Sequence, residues 1–180
     1  LILKNRSYRR FHQETAVELD TLKELVDLAR LSASAGNRQA LKFAIYSDPE
    51  RNAQVFSHIG LGGNPTKEEA PTAYILILGD TRISKSFGCD HGIAAQSILL
   101  GAVEKGLGGC MVGIANREKL PEILGLASHY EILLVLAIGK PKETAVIEDI
   151  GQDGATQGWW DDQGLRHVPK RLLSDIVITD

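Results

Sequence analysis

Three arginines, Arg6, Arg9 and Arg10, crowd one short segment, NRSYRRF at residues 5–11. Guanidinium groups present forked N–H donors that suit phosphate or carboxylate oxygens, so the chemistry within reach is anion binding. Arg6 stands three residues before Arg9 and four before Arg10, so a helical turn would set all three near one face. Ser7 adds a hydroxyl, and the start of any following helix adds free backbone N–H groups. Taken alone, a basic cluster of this kind is also what a solvated surface looks like, and other signals have to decide.

Two further stretches offer polar groups. In SAGNRQ (34–39), Asn37 and Gln39 are two apart, so an extended chain would turn both amides to one side. Each amide carries a donor and an acceptor, which suits a heterocycle edge that alternates them, such as the pyrimidine end of a flavin. The same residues, with Ser34 and Gly36, equally describe a helix C-cap and turn. In GGCMVG (108–113), glycines would let the backbone approach a planar ligand closely, or make a tight turn between buried elements. A second basic pair, Lys170 and Arg171, lies near the end of the chain.

Other chemistries find no footing. The five histidines never fall at a metal-ligand spacing, and H-E-x-x-H, G-x-S-x-G and G-x-x-x-x-G-K-[ST] are absent from the sequence, so no metal ligand and no catalytic side chain is assigned. GLGGCM begins like a dinucleotide fingerprint, but Met111 replaces its last glycine. The net charge of −3 argues against general phosphate attraction, hence against a nucleic-acid partner. Cys89 and Cys110 form no C-x-x-C pair and read as reduced thiols in a cytoplasmic protein. Cys110 is expected to be a buried structural thiol rather than a redox centre. Charge within the first four residues and no apolar core there predict no secretory leader. The chain starts at Leu1, so a start methionine or a short piece is expected to precede it. No apolar run is long enough for a membrane span.

The elements that must position these groups follow from hydropathy. With 180 residues, 43% of them hydrophobic, a single domain over 1–180 is expected. Leu22, Leu25, Val26 and Ala29 predict an amphipathic helix over 21–32, capped by Asp20 and closed near Gly36. LKFAIYS (41–47) predicts a strand, followed by a helix that Asp48 caps with Pro49 at its first position. TAYILILGD (72–80) and EILLVLAIG (131–139) read as interior strands, and 108–114 as a brief strand. The charge-poor segment 92–106 predicts a helix buried in the core or against a second subunit, and Asn116 a cap for a helix through Leu124. From Glu143 the chain turns glycine-rich and polar around Trp159 and Trp160, which are expected to pack at an interface. The mixture, without strict βαβ alternation, gives an α+β fold with a central, mostly antiparallel sheet flanked by helices.

The basic cluster, the amide turn, G-x-C-M-V-G after a small-residue helix and the late basic pair occur in one order. In that order the chain resembles the nitroreductase family of FMN-dependent oxidoreductases, over residues 5–142 and again at HVPKR (167–171). In the family's R-x-S-x-[RK] pattern, Ser7 and Arg9 fit, Arg6 lies between, and Asn5 replaces the first arginine. The P-S-x-x-N-x-Q turn appears as Ala33, Ser34, Asn37 and Gln39, with alanine for proline. The resemblance implies that Arg6, Ser7, Arg9, Lys170 and Arg171 hold the FMN phosphate and ribityl chain. It implies that Ser34, Asn37 and Gln39 line the flavin, and that the backbone of Cys110, Met111, Val112, Gly113 and Ile114 runs along its ring. It further implies a homodimer with FMN at the interface, residues 143–180 as an arm on the partner, and NAD(P)H as reductant. Nitroaromatics, quinones or similar small molecules would be the acceptors in a ping-pong reaction. Reductive dehalogenation, oxygen-dependent chemistry and a non-catalytic flavin-binding module are the alternatives.

Overall fold

The amphipathic repeat of Leu22, Leu25 and Ala29 forms helix α1 (Leu19–Arg30), with all three side chains buried. Strand β1 (Leu41–Tyr46), helix α2 (Pro49–Phe56), strand β2 (Ala73–Asp80) and helix α3 (Asp90–Glu104) follow. Strand β3 (Gly108–Val112), helix α4 (Lys119–Ile123) and strand β4 (Tyr130–Gly139) then complete the first of two units, Leu1–Lys142. Residues 1–113 and 119–179 are described by the structure, a computed structural model. The four strands form one sheet in the order β1-β2-β4-β3, with every neighbouring pair antiparallel.

Every residue of β2 is buried, because it has a strand partner on each side and helices over both faces. Alternation sends Ala73, Ile75 and Ile77 into a core with Leu22, Leu25 and Ile98 of α1 and α3. Tyr74, Leu76 and Leu78 point the other way, to Val55 of α2 and Leu120 of α4. The charge-poor α3 thus covers one face of the sheet, and Gly101 lets it press against Leu28 of α1.

Local details depart from the sequence reading. Asp20 does not cap α1; the cap position is Glu18, whose side chain makes no capping bond, and Asp20 instead pairs with Lys23 at 2.8 Å. The helix stops at Arg30, well before Gly36, whose φ of 59° belongs to a separate short turn. Asp48 does cap α2, its Oδ1 accepting the Arg51 N–H at 2.8 Å. Asn116 and Ile114 lie outside the described residues.

The second unit, Glu143–Asp180, begins where the composition changes. Strand β5 (Thr144–Asp149) pairs in parallel with β7 (Leu165–Lys170), and β6 (Trp159–Trp160) pairs antiparallel with β7. A short helix α5 (Leu173–Ile176) follows. His167 sits between two carboxylates, with Nδ1 2.7 Å from Glu148 Oε2 and Nε2 3.4 Å from Asp161 Oδ2. The Trp159 ring stacks on it at 3.9 Å, and the indole N–H donates to Glu148. The hydrogen bond to Glu148 raises the imidazole pKa above 6.5, burial opposes this, and Asp161 adds to the rise. A raised folded pKa stabilises the unit fully below the unfolded value, and this contribution disappears as pH rises through the folded one. The His167 ring protons are therefore expected to titrate in NMR spectra with a midpoint above pH 6.5. Strand pairing in this unit should weaken above that midpoint; a midpoint at or below 6.5 contradicts the arrangement.

Candidate functional site

Residues 5–11 are extended, not a helical turn. The reason is where their backbone groups find partners. Ser7 bridges Gly109 of β3, the Tyr8 N–H donates to the Gly109 carbonyl at 3.0 Å, and the Phe11 N–H donates to Glu69 at 2.9 Å. Phe11, completely buried, anchors the segment. The three arginines consequently part. Arg6 Nη2 donates to the Ile2 carbonyl at 2.7 Å, while its Nε is buried with no hydrogen-bond partner. Arg9 Nη1 reaches the Ser7 carbonyl at 3.2 Å and its side chain lies against Gly62 and Gly63. Arg10 is bound to the fold, donating to Glu69 Oε2 at 3.2 Å and to the Gly63 carbonyl at 2.9 Å. Burial raises the Glu69 pKa, but the Thr66 N–H, Arg10 and Lys142 outweigh it and hold the carboxyl below its usual range.

The bridge at Gly109 brings Ser7 and Arg9 alongside β3. There Cys110 and Val112 turn into the core beneath α2 and α4, which leaves their backbone as what they can present. Met111, on the opposite face, is 39% exposed. Gly113 is exposed, and a Cβ added there would meet nothing within 4 Å. An open strand end beside a hydroxyl and guanidinium groups, one with an orphaned donor, suits a planar ligand carrying an anionic tail.

Ser34, Asn37 and Gln39 do come together, though by a turn rather than an extended run. Asn37 and Gln39 both have positive φ, 51° and 52°, unusual for residues with a side chain. Ser34 Oγ accepts the Gln39 N–H at 3.0 Å, and Gln39 Nε2 donates to Asn37 Oδ1 at 3.2 Å. A cavity of about 340 Å³ adjoins this turn, lined by Ser34, Gln39, Phe43 of β1 and Asp90 of α3. The turn is fastened to the start of α3, whereas Ser7 and Tyr8 are fastened to β3. Lys170 and Arg171 belong to the second unit, both exposed, at and just beyond the end of β7.

Asp90, only 6% exposed, was not among the sequence candidates although its Oδ1 accepts the Ala35 N–H at 3.0 Å. Its signal was the spacing of Asp90, Ala94, Ser97 and Gly101 at i, i+4, i+7 and i+11, one stripe of a helix. Gly62 and Gly63, beside Arg9, lie in a GLGG stretch (60–63) far along the chain from it, and no local spacing signals that they are neighbours. Among the described residues no group of three His, Cys, Asp or Glu could hold a metal ion, and no helix is long and apolar enough to cross a membrane.

Comparison with known proteins bears on this arrangement. The chain is 27% identical over 164 residues to the FMN reductase (NADPH) of Bacillus subtilis, a match spanning 78% of this chain and 64% of that longer protein. It is 25% identical over 166 residues to the NADPH-flavin oxidoreductase of Vibrio harveyi, spanning 82% and 67% of the two. Its fold is similar to that of an FMN-dependent nitroreductase from Clostridium difficile R20291, with a TM-score of 0.65 and 26% identity over 79% of this chain and 88% of that one. The Nitroreductase family model matches residues 2–72 and 50–140, taking in the N-terminal arginines, the amide turn, α3 and β3. By that match the chain belongs to the Nitroreductase family.

Proposed function

We propose that this protein is an FMN-dependent oxidoreductase that draws electrons from NADH or NADPH and delivers them to nitroaromatics, quinones or similar electron-poor acceptors. Family membership supports it, as do relatives named for FMN and NADPH. The observation that carries it is the fastening of Ser7 and Tyr8 to Gly109, which sets Arg9 beside the strand that ends in the open backbone at Gly113. The residues present fit FMN. A buried guanidinium N–H without a partner, a serine hydroxyl and a second guanidinium match a dianionic phosphate and a ribityl chain. Bound FMN would supply two-electron chemistry in which nicotinamide and acceptor react in turn, the ping-pong pattern.

In this reading Arg6, Ser7 and Arg9 hold the phosphate end, and Lys170 and Arg171 add charge to it. The backbone of Cys110, Met111, Val112 and Gly113 lies along the ring. The Ser34, Asn37 and Gln39 turn offers donors to its polar edge from a second copy of the chain. Hydrogen-bond donors at that edge favour the negative charge of the reduced state. The chain acts as a homodimer, with residues 143–180 packed on the partner. Exposed apolar side chains support this, among them Trp159 at 48%, Trp160 at 43% and Leu173 at 73% exposure. No side chain is assigned a proton-transfer role.

The test is anaerobic. Flavin absorbance of the loaded protein should bleach on adding NADH or NADPH and return on adding a quinone or nitroaromatic. Flavin that binds but is bleached by neither nicotinamide overturns the enzyme reading in favour of a binding module.

A further inference from the structure

The loop between α1 and β1 is held in an unfavourable shape. Two side-chain-bearing residues two positions apart, Asn37 and Gln39, both sit in the left-handed region. Such conformations persist only where the surroundings over-determine them, and they gather at binding sites. One stripe of α3 does the holding here. Asp90 accepts the Ala35 N–H at 3.0 Å, and two turns later Ser97 Oγ lies 2.7 Å from Ser32 Oγ. Between and beyond them, Ala94 and Gly101 let α3 and α1 approach closely. The loop is therefore pinned at Ser32 and Ala35, in its first half, to a helix that is itself part of the core. Asp90 is a carboxylate that is 6% exposed. Burying such a group costs free energy unless it is hydrogen-bonded, and the bond it makes fixes the backbone at the start of the turn.

We propose that Asp90 is a positioning residue: it presets the turn so that the Asn37 and Gln39 amides form a fixed polar array before any ligand arrives. This inference rests on the flavin reading for the identity of the ligand, but the presetting is a property of the unliganded chain. Fixing the array in advance removes an ordering cost from binding, and the benefit appears as affinity. Ser97 plays the same part more weakly, because its bond to Ser32 involves two neutral hydroxyls.

The experiment uses the full chain and compares the parent with Asp90→Ala and Asp90→Asn. Amide hydrogen exchange of the FMN-free proteins is read at Ala35 and Gln39, and at Ile75, Leu76 and Ile77 of β2 as a measure of the core. FMN affinity is then read by quenching of flavin fluorescence. Asp90→Ala should speed exchange at Ala35 and Gln39 about tenfold, leave the three β2 amides unchanged, and weaken FMN binding about tenfold. Asp90→Asn keeps an oxygen that accepts the Ala35 N–H, and should recover affinity to within about threefold of the parent. The proposal is overturned if Asp90→Ala binds FMN like the parent, or if the β2 amides lose protection along with the loop. Asp90→Asn as weak as Asp90→Ala also overturns it, since a retained acceptor would then position nothing. A parent that takes up no FMN overturns the flavin reading instead, and the exchange comparison still decides whether Asp90 holds the turn.

Discussion

Gly109→Ala is expected to lower the unfolding temperature by about 6–12 °C, from a stability loss of about 3 kcal/mol. A Cβ at this position would stand 2.5 Å from the carbonyl oxygen of Ala137 and 2.7 Å from Leu99 Cδ2. The first of these is backbone of the neighbouring strand β4 and cannot rotate aside. On the other edge Gly109 already accepts the Tyr8 N–H and bridges Ser7. Relief therefore requires β3 to move relative to β4, which disturbs the sheet and the N-terminal segment together. Gly113→Ala is the contrast. It adds a Cβ where nothing lies within 4 Å, so its stability should match the parent to within about 0.5 kcal/mol. Thermal unfolding of the two variants against the parent checks both statements. A Gly109→Ala protein as stable as the parent contradicts the packing described.

Arg9→Ala should raise the FMN dissociation constant about 10- to 100-fold, the range expected for losing a hydrogen bond from a charged group to phosphate. Arg9 lies beside Ser7 and the Gly62–Gly63 turn, where its loss removes a guanidinium without dismantling a strand. Arg10→Ala should behave in the opposite way. Arg10 ties the N-terminal segment to Glu69 and the Gly63 carbonyl, so its removal should cost stability first. Fluorescence titration with FMN, paired with thermal unfolding, separates the two. Equal loss of affinity in both variants would mean that the arginines act as one undivided basic cluster.

That division of labour was hidden in the sequence, where Arg6, Arg9 and Arg10 looked equivalent on a helical turn. Their segment is extended because its partners, Gly109, Glu69 and Lys140, lie far along the chain, and local spacing carries no record of them. The Asn37–Gln39 pair was recognised as a polar array but with the wrong backbone. Positive φ at glutamine is imposed by Ser34 and by α3, not by local preference. In contrast, β2 was legible because burial on both faces leaves a continuous apolar run, and α1 because its repeat follows one face. Asp48-Pro49 marked the start of α2 for a reason contained within four residues. The parallel pairing of β5 with β7 joins Thr144 to Leu165 across a glycine-rich stretch, and no short-range signal announces it.

The most direct measurement is the uptake of FMN by the purified chain, followed by absorbance and equilibrium dialysis. The account predicts a yellow protein that saturates at about one FMN per subunit, as expected if each N-terminal segment and β3 serve one phosphate and one ring. A colourless protein that retains no FMN at any concentration tested would contradict it.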